Sequence, residues 1–302
     1  MEPIKIEVVL DIEAFKAELN KFILELSDVN TKLGSILALL PKPVPTPEPV
    51  LPVPTPTPTP TPVLTPLLFS ANMETGNANE WSGNYLMGSG NVLTNIVSAK
   101  KPQSGTHSIE TVCNMGLNQM ASTQYFEHNG VTNNNRDAIY SAWFWANESF
   151  DLAGNSPSFD NIMQWKAKMS HGLSHPVFYL GFNVRGGKGT KGSNYLELRH
   201  AMEHFVGNSY NVPEIVQVNV PIQKWFELKV RYIQATTNTG RVMVELDNVL
   251  IYDVNNVLTR PPRDKAGNTI TDMMWACCNY GMGHIPASRT LFIDSSSIRL
   301  PN

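Results

Sequence analysis

The residues best suited to chemistry lie on a short segment, residues 161–168, that reads NIMQWKAK. Successive side chains of a strand point to opposite faces of a sheet, so Gln164, Lys166 and Lys168 share one face. The apolar residues between them share the other face, which predicts that they belong to the core. The polar face carries an amide and ammonium groups, which donate hydrogen bonds. It either lines a binding groove or is the solvated face of the strand.

Neighbouring segments carry further polar residues at alternating positions. Glu197 and Arg199 alternate on one of them and would continue the floor of such a groove. A glycine-rich segment, residues 186–192, lacks the strand–loop–helix context of a phosphate-binding loop, which argues against nucleotide binding. It is either a plain surface hairpin or a basic loop at the mouth of the groove, with three basic residues in and beside it: Arg185, Lys188 and Lys191.

The chain from residue 67 onwards predicts an all-β domain. Helical periodicity is almost absent there, and short runs rich in aromatic and β-branched residues recur between turn signals such as Thr239-Gly240 and Asp247-Asn248. Many short strands at this spacing are typical of a two-sheet β-sandwich. The predicted strands are residues 139–145, 161–168, 177–184, 195–200, 225–233, 240–247 and 291–300.

Four local sequences, taken in order, resemble a known family. They are FSANMETGNANEW (Phe69–Trp81), SGTHSIE (Ser104–Glu110), WFELKVRYIQATTNTGRVMVELDNVLIYD (Trp225–Asp253) and RTLFIDSSSIRL (Arg289–Leu300). Their order and spacing resemble the concanavalin-like jelly roll of polysaccharide lyases and related glycan-binding domains. The resemblance covers nearly all of residues 67–302 and implies a jelly-roll β-sandwich. A shared fold does not by itself establish an activity.

The resemblance also implies roles for particular residues if the domain is a lyase. Such an enzyme neutralises the carboxylate of a uronate, removes the C5 proton with a base and protonates the leaving oxygen with an acid. Some related lyases carry a Gln-x-His pair on a comparable strand, whereas this sequence has lysine in place of the histidine. The residues that would share these roles are Gln164, Lys166, His175 and Tyr280.

For a glycan-binding domain, the resemblance implies a different set of contacts. The basic loop and the alternating strand residues would contact an acidic glycan, and Trp275, in a loop-like stretch, is expected to be exposed for sugar stacking. Related sandwiches bind a structural Ca²⁺ with residues of the first and last strands, which here would be Glu74 and Asp294. No other cofactor is expected.

The N-terminal quarter of the sequence predicts a separate assembly device. Residues 1–10 contain an alternating strand pattern, which predicts a strand that anchors on a partner chain. Residues 41–66 carry proline at nearly every second position, which excludes helix and sheet interior and predicts an extended polyproline II spacer. At about 3.1 Å per residue, this spacer would span roughly 80 Å.

Residues 11–40 predict an amphipathic helix with a strict heptad pattern. Its stripe is narrower than that of a helix packed on its own domain, which favours a coiled coil over that alternative. Leucine at a and bulky or β-branched residues at d favour more than two strands, and a trimer is expected. The predicted contact residues are Ile12, Phe15, Leu19, Phe22, Leu26, Val29, Leu33, Ile36 and Leu40.

Composition limits the classes of function. A net charge of −3 gives no indication of nucleic-acid binding, and three cysteines do not make a disulfide framework, so free thiols are expected. No signal peptide and no membrane-spanning segment are recognised.

The layout predicts a virion-associated fibre of a tailed bacteriophage, anchored on a capsid, collar or tail protein and displaying its head toward host-surface polysaccharide. It would be made in the host cytoplasm and be found on the virion surface, or alternatively extracellularly. Two other functions stay open, a polysaccharide lyase and a structural decoration protein without a ligand. Binding is favoured over catalysis.

Overall fold

The computed structural model describes residues 65–302, except for 88–90, 115–119, 128–129, 149–158, 184–192, 201–204, 206–217, 283–287 and 302. Of the first 64 residues it describes four, which are helical and exposed: Lys21, Glu25, Val29 and Lys32. The chain divides into two units, Met1–Thr61 and Pro62–Asn302. The anchoring strand, the other heptad positions and the spacer up to residue 64 lie outside the described residues, so their assignments stay predictions.

The described part of the second unit is built almost entirely of strands. One four-residue helix, α1 (Val131–Asn134), precedes the sixth strand. In chain order the strands are β1 (Leu67–Ala71), β2 (Gly83–Met87), β3 (Asn91–Ser98), β4 (Ser108–Asn114), β5 (Met120–Phe126), β6 (Asp137–Ala146), β7 (Phe159–Met169), β8 (Ser174–Asn183), β9 (Ser193–His200), β10 (Asn219–Pro221), β11 (Trp225–Ile233), β12 (Gly240–Leu246), β13 (Val249–Val257), β14 (Ile270–Met282) and β15 (Ser288–Arg299).

These strands form two antiparallel sheets. The first sheet has the order β13-β12-β11-β6-β15-β4-β3, with β1 also paired to β15. The second sheet has the order β10-β9-β8-β7-β14-β5-β2. Among the described strands, consecutive ones form six of the thirteen pairings, and the other seven join strands that are distant in sequence, as in sandwiches whose chain crosses between sheets. The predicted all-β sandwich is confirmed.

Alternating side chains from both sheets make one core. Strands β6 and β11 bury every second residue, because their apolar residues recur with the two-residue period of a strand. Between the sheets, Trp165 of β7 stacks on Tyr232 of β11 with ring centroids 5.0 Å apart, and Tyr140 of β6 lies 5.5 Å from Trp275 of β14. Large aromatic groups therefore fill the middle of the sandwich. The predicted core positions of residues 163, 165 and 167 are confirmed.

The turn between β12 and β13 illustrates how local sequence sets the connections. Asp247 and Asn248 have φ angles of 50° and 65°, which asparagine and aspartate tolerate better than most residues. Asp247 also fixes the neighbouring strand, because its Oδ1 accepts a hydrogen bond of 2.8 Å from the Glu227 backbone N–H. The turn predicted from these two residues is confirmed.

A buried polar group also joins the two sheets. Arg289 of β15 and Asp160 of β7 are almost fully buried and form an ion pair with Nη2 and Oδ2 2.5 Å apart. Nearby, Asn279 of β14 donates from Nδ2 to Thr111 Oγ1 of β4 at 3.2 Å. These contacts hold the first residues of β7 against the first sheet.

The described helical residues include no segment that is both long enough and apolar enough to cross a membrane.

Candidate functional site

The candidate site lies on the outer face of the second sheet, which is the face turned away from the first sheet. Trp165 packs into the core, so the alternating residues Gln164 and Lys166 must point to this outer face. On the next strands, Gln164 pairs with Ala276 of β14, and Ala276 pairs with Phe126 of β5. The site is therefore assembled from β7, β14 and β5.

Irregular pairing surrounds this part of β7. Its register against β8 shifts between Asn161 and Met163 and again between Trp165 and Lys166. Against β14, the register shifts between Cys277 and Tyr280. Such bulges redirect side chains and are common beside active sites. They place side chains of three strands close together at Gln164 and Lys166.

A short row of hydrogen bonds, here called the amide chain, connects Ser122, Gln124 and Gln164. Gln164 Nε2 donates to Gln124 Oε1 at 2.7 Å, and Gln124 Nε2 donates to Ser122 Oγ at 2.7 Å. Lys166 Nζ donates to the same Gln124 Oε1 at 3.3 Å. All three members of the amide chain are fully buried. Buried polar groups joined in this way hold one another in fixed orientations.

Lys166 is the charged centre of this site. Its exposed fraction is 7%, and its ammonium group lies 5.8 Å from the ring centroid of Phe126. Among the described residues no carboxylate lies within ion-pair distance of it. Burial lowers the pKa of Lys166 because the charged form loses its water, while the nearby Cys278 thiol weakly opposes the shift.

The cysteines near the site are structural thiols rather than nucleophiles. Cys278 faces the site but is fully buried, and its Sγ donates to the Asn161 carbonyl at 3.3 Å. Burial raises the pKa of the Cys278 thiol well above its usual value, so the reactive thiolate is disfavoured. Cys277 points to the opposite face, 3.9 Å from Ser296 Oγ. The prediction of buried free thiols is confirmed for Cys113, Cys277 and Cys278.

The other two residues assigned to a lyase mechanism lie in different places. Tyr280 shares the outer face, but its hydroxyl group lies 3.4 Å from Sδ of Met120, the first residue of β5. It is therefore directed toward β5 and away from Lys166 on β7. His175 pairs with Ala167, whose side chain is in the core, so His175 lies on the opposite side of the sheet. Its ring lies 6.4 Å from that of the buried Phe205. The structure therefore brings Gln164 and Lys166 together without His175.

The residues proposed to extend the groove are only partly covered by the structure. Arg199 pairs with Tyr179, which itself pairs with Gln164, and Glu197 pairs with Gly181. Their register positions thus continue the row that begins at Gln164. The basic loop residues lie outside the described part of the chain: Arg185, Lys188 and Lys191.

The prediction that Trp275 is exposed is wrong. Trp275 is fully buried in β14 and packs against Trp81, Tyr140 and Phe69, with ring centroids 5.7, 5.5 and 6.2 Å away. The segment around it lacks the regular pattern of a strand, yet it pairs on both sides in the middle of the second sheet. A residue in this position cannot stack on a sugar.

The proposed calcium ligands both hold one loop, residues 103–107. Glu74 accepts hydrogen bonds of 3.0 Å from the backbone N–H groups of Thr106 and His107, and these contacts lower its pKa. Asp294 Oδ2 accepts bonds from the Gln103 and Ser104 backbone N–H groups at 2.8 and 3.3 Å. Calcium requires oxygen ligands, whereas these carboxylates accept hydrogen bonds from backbone N–H groups and from the hydroxyl groups of Thr106 and Ser295.

The calcium site at Glu74 and Asp294 therefore stays a prediction. In the described part of the chain, no three acidic, histidine or cysteine side chains are grouped to hold a metal.

Sequence reasoning missed the residues of β5. Its sequence, MASTQYF, alternates Ser122, Gln124 and Phe126 with residues that face the core. This period of two was the available signal, but the small polar residues made it weak. The pairing of β5 with β14 was not visible, because it joins segments about 150 residues apart.

Comparison with solved structures supports the fold. No protein-family model matches this sequence, and no curated protein sequence matches it. Among solved structures, the domain is similar to an endo-β-1,4-glucuronan lyase from the fungus Trichoderma reesei. That match has a TM-score of 0.56 and 13% identity and covers 78% of this chain and 96% of the other. It is also similar to a mutant of the alginate lyase Aly36B in complex with alginate tetrasaccharide.

The match to Aly36B has a TM-score of 0.50 and 7% identity and covers 78% and 97% of the two chains. At such identities the likeness establishes the β-sandwich fold alone. The resemblance drawn from the sequence is confirmed at that level.

Proposed function

We propose that the β-sandwich binds an acidic polysaccharide on the outer face of the second sheet. The observation that carries this proposal is Lys166, a buried ammonium group without a carboxylate partner among the described residues. A buried charge is costly unless it is paired, and a carboxylate of the ligand would supply the pair. The similar solved structures include lyases of glucuronan and alginate, which supports a polyuronate as the ligand.

Binding can be tested by calorimetry with glucuronan, alginate and heparin, and with neutral dextran as the uncharged control. We expect the acidic polymers to bind and dextran not to bind. The variant Lys166→Met should lose at least about tenfold in affinity, because it removes the cation that faces the ligand. Lys229→Met is the control, since Lys229 lies on the outer face of the first sheet, away from the candidate site. Equal affinity of wild type and Lys166→Met would contradict the proposal.

A second candidate function is cleavage of the same glycan by β-elimination. The lowered pKa of Lys166 favours it, because a neutral amine can act as a base. Lys166 Nζ would take the C5 proton of a uronate, the released electron pair would form the C4–C5 double bond, and the C4–oxygen bond would break. Gln164 Nε2, which donates one hydrogen to Gln124 Oε1, would donate its second hydrogen to the carboxyl group. Tyr280 would protonate the leaving oxygen after turning away from Met120.

This reaction creates an unsaturated uronate that absorbs in the ultraviolet. If the domain is a lyase, absorbance should rise with glucuronan or alginate, fail to rise with Lys166→Met, and still rise with Lys229→Met. No rise with any acidic glycan would exclude the lyase and leave binding as the function.

We further propose that the chain is a fibre of a tailed bacteriophage that displays this domain toward host-surface polysaccharide. The heptads of residues 11–40 and the proline-rich residues 41–66 support this proposal, because together they predict a self-associating base with an extended spacer. Residues 1–10 would bind a capsid, collar or tail protein. An antibody against the sandwich should label purified virions, and failure to co-purify with virions would contradict the fibre. If the antibody labels virions but the protein binds no glycan, the chain is a structural decoration protein.

A further inference from the structure

The amide chain has a direction, and Lys166 fixes it. An ammonium group can only donate hydrogen bonds, so the atom of Gln124 that faces Lys166 must be its oxygen. Gln124 Nε2 therefore faces Ser122, and the atom of Gln164 that meets Gln124 Oε1 must be its nitrogen. Reversing Gln124 would place its NH₂ group against two other donors. The chain thus ends in one oxygen, Gln164 Oε1.

This terminal oxygen is buried and accepts no hydrogen bond. Gln164 has no exposed surface, and no donor from the described part of the chain reaches its Oε1. Its cross-strand neighbours are Ala276, which carries only a methyl group, and Tyr179, which does not donate to it. An unpaired buried acceptor destabilises the folded protein, and a ligand that supplies a donor removes that cost.

We propose that this site selects uronate residues that carry a free hydroxyl group beside the carboxylate, and discriminates against their O-acetylated forms. The carboxylate accepts from Lys166, and the hydroxyl group donates to Gln164 Oε1. Lys166 Nζ and Gln164 Nε2 both bond to the oxygen of Gln124, so the cation and the acceptor lie within reach of one monosaccharide. This inference rests on the proposed binding of an acidic polysaccharide.

Acetylation changes the chemistry of the hydroxyl group. A free hydroxyl is both a donor and an acceptor, whereas an acetate ester only accepts. Two acceptors would then face each other, and a site built to receive a hydrogen bond rejects a ligand that cannot donate it. Gln164 is therefore a specificity-determining residue, and Gln124 positions it.

The test compares one acetylated polyuronate with the same polymer after mild alkaline removal of its acetyl groups. Calorimetry with the full-length wild-type chain should show at least about tenfold tighter binding of the deacetylated form. The variant Gln164→Met has a side chain of similar length without an acceptor, and should bind both forms within about twofold of each other. Lys229→Met, on the outer face of the first sheet and so away from the candidate site, should keep the wild-type preference.

The variant separates hydrogen bonding from exclusion by size. If the acetyl group were merely too large, Gln164→Met would keep the preference, and that result would overturn the inference. Wild-type protein that binds both forms equally would overturn the inference alone. Wild-type protein that binds neither form would overturn the proposed function as well. The wild-type comparison needs no variant and remains decisive if Gln164→Met does not fold.

Discussion

Lys166 combines a cost in stability with the role in binding that we propose for it. Its pKa is lowered in the folded protein, so the unfolded chain binds more protons in the interval between that pKa and the value of an ordinary lysine. Stability contributed by this residue therefore rises with pH across that interval, and below it the folded protein carries the full cost of a buried charge. Residues at binding sites often carry such costs.

The variant Lys166→Met should accordingly be more stable than wild type, by about 1–3 kcal/mol at neutral pH. The gain in stability should shrink as the pH is raised toward the pKa of a free lysine, because wild-type Lys166 then loses its charge. Urea denaturation followed by fluorescence at several pH values measures both effects. The exposed control, Lys168→Met, should change stability by less than about 0.5 kcal/mol. A less stable Lys166→Met would mean that the ammonium group is a structural element.

Glu127 is a second buried ionisable residue, at a different place in the fold. Its Oε2 accepts a bond of 2.6 Å from the Trp275 backbone N–H, and its Oε1 one of 3.4 Å from the Thr132 N–H. Burial nevertheless raises the pKa of Glu127 to about 8, because these two bonds do not replace the water of an ionised carboxylate. Folding at neutral pH therefore takes up a proton at this residue.

The stability that Glu127 contributes should fall as the pH rises from the pKa of a free carboxyl group to above the folded-state pKa of about 8. We expect the Tm of the sandwich to decrease between pH 6 and pH 9. The variant Glu127→Gln should remove most of this decrease, since its amide stays neutral while its oxygen still accepts the bond from Trp275. Differential scanning calorimetry at the two pH values is the measurement. An equal decrease in both proteins would assign the pH dependence to other groups.

At the scale of elements, the sequence predicted which side chains of one strand face the core. It did not predict which strands pair with each other. The period of two along residues 161–168 correctly separated the core face of β7 from the face that carries Gln164 and Lys166. The sequence did not reveal β5 and β14, whose mixture of Ser, Met, Cys and Ala gives little strand signal. Gln124 is 40 residues from its partner Gln164, and only the sheet order brings them together.

The same limitation explains the wrong expectation for Trp275. A tryptophan in an irregular sequence resembles an exposed stacking residue, whereas its burial follows from the strands on both sides and the sheet opposite. Packing against distant elements overrides local pattern in this way. The position of His175 is a related case, because the register shift in β7 and β8 decides which face it occupies.

The ion pair between Asp160 and Arg289 ties the site-bearing strand β7 to the first sheet. Both groups are almost fully buried, so removing one leaves an unpaired charge in the core. Arg289→Met alone should lower the free energy of unfolding by about 3–5 kcal/mol. The double variant Asp160→Leu, Arg289→Met should lose less than that single variant, because it leaves neither charge unpaired.

Denaturation of the single and double variants gives the coupling free energy between the two residues. Simple additivity of the two single effects would mean that the ion pair does not connect the sheets energetically. Arg241→Met is a control from the surface, since its ion pair with Asp253 is partly exposed and should contribute at most about 1 kcal/mol.

At the scale of the whole molecule, the proposed trimer would turn a weak site into a strong one. Several heads on one base meet a repetitive polysaccharide together, and each bound head raises the effective concentration of the others. In this proposal the sandwich would recognise one uronate, and residues 11–40 would set the number of heads. A charged residue at an a position of the heptads should therefore abolish assembly without touching the sandwich.

The full-length variant Leu26→Glu tests both parts of this argument. Light scattering should report a trimer for wild type and a monomer for the variant, and Glu25→Gln, at an exposed helical residue, should remain a trimer. On a surface coated with polyuronate, Leu26→Glu should bind at least about 10²-fold more weakly than wild type. Both should bind a short oligosaccharide in solution with the same affinity, because the individual site is unchanged. If the wild type is a monomer, or if it is a trimer that binds the coated surface no more tightly than Leu26→Glu does, the heptads do not serve multivalent binding.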